Sequence, residues 1–355
     1  MEYYKLEEAR EQVVRAGKEL LESGLIARTW GNISARISDN EFVITPSGRD
    51  YETLKPSDVV IVSIADGSYQ GHIKPSSEYG VHQVAYQLHD DVCFVIHTHQ
   101  SNASAISVLG KGMSRIAKYG QDKENILGPK VPCASYGLSA TRRLKRNMEA
   151  AIYANLDCNS ILMRNHGVLC MGRDYEDAFL IAHTLENISA KKFHRLTGCV
   201  EEEMYSTGSQ DAFYEVMEES WMKELQHIDA KNTATVAIHT KTPFVLRMSL
   251  YGNKMRPYID DLAQIAGTCI QSLPEEASFQ KIAKALRHSD AVLIQGQGAY
   301  CIGSSLEEAK AVCMVLEKGA KAAYLAKMIG RIPPIDFLSA QKERYFYVLS
   351  YSKLK

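Results

Sequence analysis

Residues 160–193 align without gaps to residues 291–324, and this internal repeat is the strongest constraint on what the chain can fold into. Leu162, Gly167, Cys170, Gly172, Glu176, Ala178, Leu185 and Glu186 recur as Leu293, Gly298, Cys301, Gly303, Glu307, Ala309, Leu316 and Glu317. Average residue usage would supply roughly two such identities by chance. The repeated unit reads as strand, turn, strand and long helix, because two short apolar runs bracket a glycine and a helical pattern follows. A chain of 355 residues carrying this repeat is expected to hold two related domains. Residues 1–198 read as the first domain. Residues 199–232, rich in Glu, Ser and Asp around Trp221 and Met222, read as a connector helix and its flanks, and 233–355 as a shorter, partial copy.

The rest of the chain has the texture of a mixed α/β protein. Leu6, Val13, Val14, Ala16, Leu20 and Leu21 follow a helical period that Gly24 would end. Short β-rich runs at 42–45, 59–64 and 93–96 are separated by turn signals, with a helix expected over 78–89. Helices are also expected over 139–155 and 174–195, and strands over 160–163 and 168–171.

Several function classes are disfavoured at this level. With 41 basic and 42 acidic side chains the net charge is -1, which provides no field for nucleic acid or an anionic membrane. The basic run Arg142, Arg143, Lys145 and Arg146 lacks interleaved aromatics and reads as a solvated helix face. No apolar run approaches the length of a membrane span, and Met1 to Glu8 lacks a signal-peptide pattern, so a cytoplasmic location is expected. Eight cysteines without a C-x-x-C pair read as free thiols. Gly296-Gln297-Gly298 is not a dinucleotide fingerprint, since Cys301 stands where the third glycine would be.

Three features carry chemistry. In His97-Thr98-His99, at the end of an apolar strand, a period of two would turn both imidazoles to one face, where two nitrogens could reach one metal. By itself this pair could equally be polar residues at a strand mouth. In Arg164-Asn165-His166-Gly167 the glycine suits a tight turn that would thrust a histidine out of the sheet. The repeat places Gln297 there in the second copy, so the turn recurs and the imidazole does not. Lys74-Pro75-Ser76-Ser77-Glu78 precedes a helix, where its hydroxyls could cap the helix or, with the backbone N–H groups, receive a phosphate. Gly31-Asn32-Ile33-Ser34 and Thr45-Pro46-Ser47-Gly48 offer similar donors, although each alone is an ordinary turn.

Taken in order, Thr29-Trp30-Gly31-Asn32-Ile33-Ser34-Ala35-Arg36, Ile44-Thr45-Pro46-Ser47-Gly48, Lys74-Pro75-Ser76-Ser77-Glu78, His97-Thr98-His99 and Asn165-His166-Gly167 resemble the class II aldolase/adducin family over residues 5–195. The resemblance is greatest to its zinc-dependent sugar-phosphate aldolases of the L-fuculose-phosphate type. It implies an α/β fold of three αβα layers, with a mostly antiparallel central sheet flanked by helices. It also implies one Zn2+ per chain, or another divalent metal, held by His97, His99 and His166 with Glu78 beside it as the acid/base. Gly31, Asn32, Ser47, Gly48, Ser76 and Ser77 match the family's phosphate-binding positions. Tyr119 is the nearest candidate for the tyrosine that a neighbouring subunit supplies as proton donor, although its surroundings match the family poorly.

The implied reaction is retro-aldol cleavage of a phosphorylated ketose to dihydroxyacetone phosphate and an aldehyde. The implied partners are a small sugar phosphate and further copies of the chain in a homo-oligomer. Glu78 favours this over the sister 4-epimerases, which carry aspartate at its position. A methylthioribulose-phosphate dehydratase would share the same motifs, and an adducin-like scaffold would keep the fold without the metal histidines. The segment Arg256-Pro257-Tyr258-Ile259-Asp260-Asp261-Leu262-Ala263-Gln264 resembles longer family members, with no role implied.

Overall fold

The structure, a computed structural model, describes residues 3–23, 25–26, 30–200 and 210–351. Gly24, Thr29 and residues 201–209 of the expected connector lie outside the described residues. The chain divides into two compact units, one up to Lys192 and one from Phe193 onward.

The first unit begins with helix α1 (Leu6–Glu22), followed by strands β1 (Gly31–Arg36), β2 (Glu41–Ile44) and β3 (Val60–Ser63). Helix α2 (Tyr79–Leu88) leads to strand β4 (Phe94–Thr98) and the short helix α3 (Ser101–Ser107). A two-stranded pair, β5 (Met113–Ser114) and β6 (Lys130–Val131), brackets helix α4 (Gln121–Leu127). Strand β7 (Cys133–Ala134) and helix α5 (Arg142–Tyr153) follow, and then the repeated unit: β8 (Ser160–Met163), β9 (Val168–Gly172) and helix α6 (Tyr175–Thr197). Seven strands form one sheet in the order β3-β2-β1-β4-β9-β8-β7. Every pairing is antiparallel except β7 with β8.

Alternation along the strands makes the two faces. Phe42, Ile44, Val95, Ile161, Met163, Leu169 and Met171 meet Val84 and Tyr86 of α2 and Leu144, Met148 and Ile152 of α5 in one buried cluster. Each such apolar side chain stabilises the fold by about 1.5–3 kcal/mol on burial. On the opposite face Phe94 meets the ring of Tyr175, with centroids 5.3 Å apart, and the Tyr175 hydroxyl donates to Glu19 of α1. Helices therefore cover both faces, as the α/β expectation required.

The second unit contains β10 (Tyr214–Val216), helix α7 (Glu219–Ile228), β11 (Val236–Thr240) and helix α8 (Pro243–Ser249). It continues with β12 (Gln271–Leu273), helix α9 (Phe279–Leu286), β13 (Ala291–Ile294), β14 (Gly298–Gly303), helix α10 (Leu306–Ile329) and helix α11 (Phe337–Phe346). Its sheet runs β10-β11-β14-β13-β12, with only β12–β13 parallel. This is the order β1-β4-β9-β8-β7 of the first unit without β2 and β3. Residues 210–228 of the expected connector hold β10 and α7, and Met222 is buried with Leu225, Ile282, Leu286, Val292 and Ile302 in the core of this unit.

The repeated residues have physical reasons to recur. At Gly167 an added Cβ would lie 2.3 Å from the Thr98 carbonyl oxygen, and at Gly298 one would lie 2.1 Å from that of Thr240. In both turns the residue two before the glycine is left-handed, Asn165 at φ 60° and Gly296 at φ 74°. Glu186 accepts from the backbone N–H groups of Asn102 (2.7 Å) and Ala103 (3.0 Å) at the start of α3. Glu317 accepts from those of Phe244 and Val245 at the start of α8, both at 2.8 Å. A carboxylate, buried at Glu317 and partly buried at Glu186, thus satisfies unpaired donors of a short helix in each copy. These pairings extend the relationship beyond the repeat itself: His97-Thr98 corresponds to His239-Thr240, and His99 to Lys241.

Gly298→Ala is expected to cost about 2 kcal/mol or more, since it combines a positive φ with a backbone clash. Chemical unfolding of the two proteins would measure the loss, and an unchanged midpoint would refute the close-approach argument. Among the described residues no helix is long and apolar enough to cross a membrane. All eight cysteines are free thiols.

Candidate metal centre

The first unit gathers Glu78, His97, His99 and His166 from four different places. Glu78 is the residue preceding the first turn of α2, His97 lies on β4, His99 follows that strand, and His166 sits in the β8–β9 turn. One ligand atom from each lies within 4.8 Å of all the others. The Nε2 atom of His97 is 2.9 Å from that of His99 and 3.1 Å from that of His166. Glu78 places Oε2 3.1 Å from His97 Nε2 and Oε1 3.5 Å from His166 Nε2. Glu78, His97 and His166 are buried, and His99 is partly exposed.

Hydrogen bonding shows what this arrangement can hold. His97 donates through Nδ1 to the carbonyl oxygen of Val168 at 2.7 Å, so a neutral ring turns only a lone pair from Nε2 toward the cluster. That lone pair faces a carboxylate oxygen and two further imidazole nitrogens, a set held together either by protons on the imidazoles or by a cation among them. Tetrahedral zinc with Zn–N bonds of about 2.0–2.1 Å separates its nitrogen ligands by about 3.3 Å, close to the spacing here. Three imidazoles and a carboxylate therefore fit a zinc-type ion. Burial pushes the Glu78 carboxyl up, but the His166 and His97 imidazoles outweigh it and hold the group well below the usual carboxylate range. The Ala140 N–H also donates to Glu78 Oε1 at 3.3 Å.

The close turn is what allows His166 to reach the others. A Cβ on residue 167 would also lie 3.2 Å from the rings of His97 and His99, so this glycine admits the turn between two ligands and a strand end. In the second unit the corresponding positions are His239, Lys241 and Gln297. His239 Nε2 is 2.8 Å from the Gln297 carbonyl oxygen, and this hydrogen bond occupies the nitrogen with a proton. Lys241 is exposed and cationic, so the second set lacks the donors for such an ion.

The candidate phosphate residues share one end of the first sheet. Gly31 and Asn32 open β1, opposite Thr98 and His97 of β4. The turn after β2 lies alongside them, with the Thr45 N–H donating to the Ile33 carbonyl at 3.0 Å. It is joined to the segment before α2 by Ser47 N–H to the Lys74 carbonyl (3.0 Å) and Ser76 N–H to the Thr45 carbonyl (2.9 Å). Ser47 and Gly48 thus stand beside Ser76 and the exposed Ser77, and Glu78 links this corner to the histidines. Tyr119 ends a 3-10 turn, with the Lys118 ammonium 5.1 Å from its ring centre, and is not among the four converging side chains.

Sequence reasoning passed over His82, which is fully buried on α2 and hydrogen-bonds Asn32. The available signal was its spacing: it lies four residues after Glu78, on the same helical face.

The sequence pattern of the Class II Aldolase and Adducin N-terminal domain matches residues 11–191 and again 225–324. A 5-deoxy-D-ribulose 1-phosphate aldolase from Bacillus thuringiensis serovar kurstaki is 34% identical over 182 residues, 51% of this chain and 82% of that protein. An L-fuculose phosphate aldolase from Escherichia coli K12 is 31% identical over 179 residues, 49% of this chain and 78% of its own. A solved structure of an L-fuculose 1-phosphate aldolase is 28% identical, with a TM-score of 0.48, and the match covers 57% of this chain and 88% of that one.

Proposed function

Because the chain belongs to the class II aldolase and adducin N-terminal domain family, we propose that its first unit is a zinc-dependent lyase that cleaves a phosphorylated ketose to dihydroxyacetone phosphate and an aldehyde. The observation that carries the reading is the meeting of Glu78, His97, His99 and His166 beside a corner of hydroxyl and N–H donors. Two aldolases similar to this chain are named for ketose phosphates, which supports a phosphorylated substrate.

In this reading the three histidines and Glu78 hold the ion, which when bound supplies a Lewis acid for the oxygens next to the bond that breaks. Gly31, Asn32, Ser47, Gly48, Ser76 and Ser77 bind the phosphate and fix the carbon chain against the metal centre. Cleavage of the C3–C4 bond requires C3 to gain a proton and the C4 hydroxyl to lose one. Glu78, close to the histidines and in line with the phosphate corner, moves the proton at C3. Tyr119 of a neighbouring copy handles the proton on the aldehyde oxygen, in a homo-oligomer that operates in the cytoplasm. The second unit is a partial relative without a metal site.

The test is a product inventory from zinc-loaded protein with a panel of ketose 1-phosphates. Dihydroxyacetone phosphate and a matching aldehyde in equal amounts are expected. Loss of water without carbon–carbon cleavage would replace this reading with that of a dehydratase, and epimer formation with that of an epimerase. The presence of all four candidate ligands argues against a purely structural, adducin-like role for the first unit.

A further inference from the structure

A buried relay of hydrogen bonds runs from α2 to the phosphate corner. The Tyr86 hydroxyl lies 2.7 Å from Ser34 Oγ, and Ser34 Oγ lies 2.7 Å from His82 Nδ1. On the other side of the ring, His82 Nε2 lies 2.5 Å from Asn32 Oδ1. His82 and Ser34 are completely buried, and Asn32 and Tyr86 nearly so.

The relay can be polarised in two directions, and they have opposite consequences for an anion. Burial lowers the His82 pKa to about 3, so the ring is neutral near pH 7 and carries one N–H. If that proton is on Nε2, it is donated to Asn32 Oδ1, Nδ1 accepts from Ser34, and Ser34 accepts from Tyr86. Every proton in the chain is then used, and the Asn32 NH2 group is left to face outward as a donor. If the proton were on Nδ1, the relay would reverse. Asn32 would have to turn its NH2 toward His82 and present a carbonyl oxygen outward, which repels a phosphate. The Oδ1 contact with His82 fits the first direction.

We propose that His82 is a positioning residue for the phosphate subsite: its Nε2–H fixes the Asn32 amide with the NH2 group turned toward the substrate phosphate. The proposal rests on the reading of that corner as a phosphate site and adds the residue that sets its polarity. It also gives a role to a completely buried histidine on a helix that buries Val81, Val84 and Ala85 beside it.

The test compares two amides at position 82, with inorganic phosphate as the probe on zinc-loaded protein. Glutamine can place its NH2 near the position of Nε2, whereas asparagine reaches only as far as Nδ1. His82→Gln is expected to keep the phosphate dissociation constant within about threefold, and His82→Asn to weaken it by about tenfold or more. KM for a ketose 1-phosphate should follow the same order while kcat and zinc content change little, a split that general loosening of the fold would not produce. Equal phosphate affinity in the two folded variants overturns the proposal and leaves the aldolase reading intact. Wild-type protein that binds no phosphate and cleaves no ketose phosphate overturns both. If His82→Asn does not fold, nitrogen-15 NMR of the wild-type ring decides: the Nε2–H tautomer is expected, and the Nδ1–H tautomer refutes the assignment.

Discussion

His97→Ala protein is expected to lose its zinc and, with it, roughly three orders of magnitude in turnover. His97 is the hub of the cluster: its Nε2 is 2.9–3.1 Å from His99, His166 and Glu78. Without it, the other three groups lose the one nitrogen that lies within about 3 Å of each of them. The turnover loss corresponds to removing a Lewis acid worth several kcal/mol. Elemental analysis should read one zinc per wild-type chain and under about a tenth of that in the variant. Two per wild-type chain would show that the second unit also binds. The fold should survive, because the direct losses are one hydrogen bond to Val168 and some packing, about 1–3 kcal/mol in a unit of this size. A thermal melt recorded with the metal analysis separates these effects. Retained zinc in a folded His97→Ala protein would remove this residue from the ligand set.

Glu78→Gln is expected to act on a different quantity. The amide keeps the shape and can still receive the Ala140 N–H, but it cannot accept and return a proton. Turnover should fall by about 10²–10⁴-fold, the usual size of a general acid–base contribution. The three histidines should retain most of the metal. Steady-state kinetics alongside zinc content measures both, and turnover within tenfold of wild type would exclude Glu78 as the proton carrier.

The chain shows unevenly, in its sequence, what it folds into. The strand-turn-strand-helix repeat was legible because hard contacts dictate its residues: a glycine under a threonine carbonyl and a glutamate beneath a helix start admit few substitutes. The match of His97-Thr98 to His239-Thr240 escaped notice for a geometric reason. The two histidine-to-turn spacings differ, 69 residues from His97 to His166 but 58 from His239 to Gln297, so an ungapped comparison loses register. Most of the additional length lies between β7 and β8, where α5 has 12 residues against 8 in α9. The candidate ligands Glu78, His97, His99 and His166 were readable from ordered motifs, whereas the tie between His82 and Asn32 was not, because 50 residues separate them and neither has an unusual local pattern. The acidic stretch before α7 looked like a linker because β10 is only three residues long, with two of them exposed.

The two strands that the second sheet lacks have a consequence for any attempt to re-equip it. In the first unit the turn bearing Ser47 and Gly48 follows β2, and the Ser76-Ser77 segment lies between β3 and α2. Among its described residues the second unit therefore lacks both segments of the proposed phosphate corner along with the two strands. Lys241→His with Gln297→His could give the second unit a metal-binding pocket, but the resulting site would have no anchoring point for a phosphate. Point substitutions could undo the loss of ligands; only grafting a β-hairpin and its following loop could undo the loss of substrate. In design terms the second copy is a chassis from which one module was edited and another deleted.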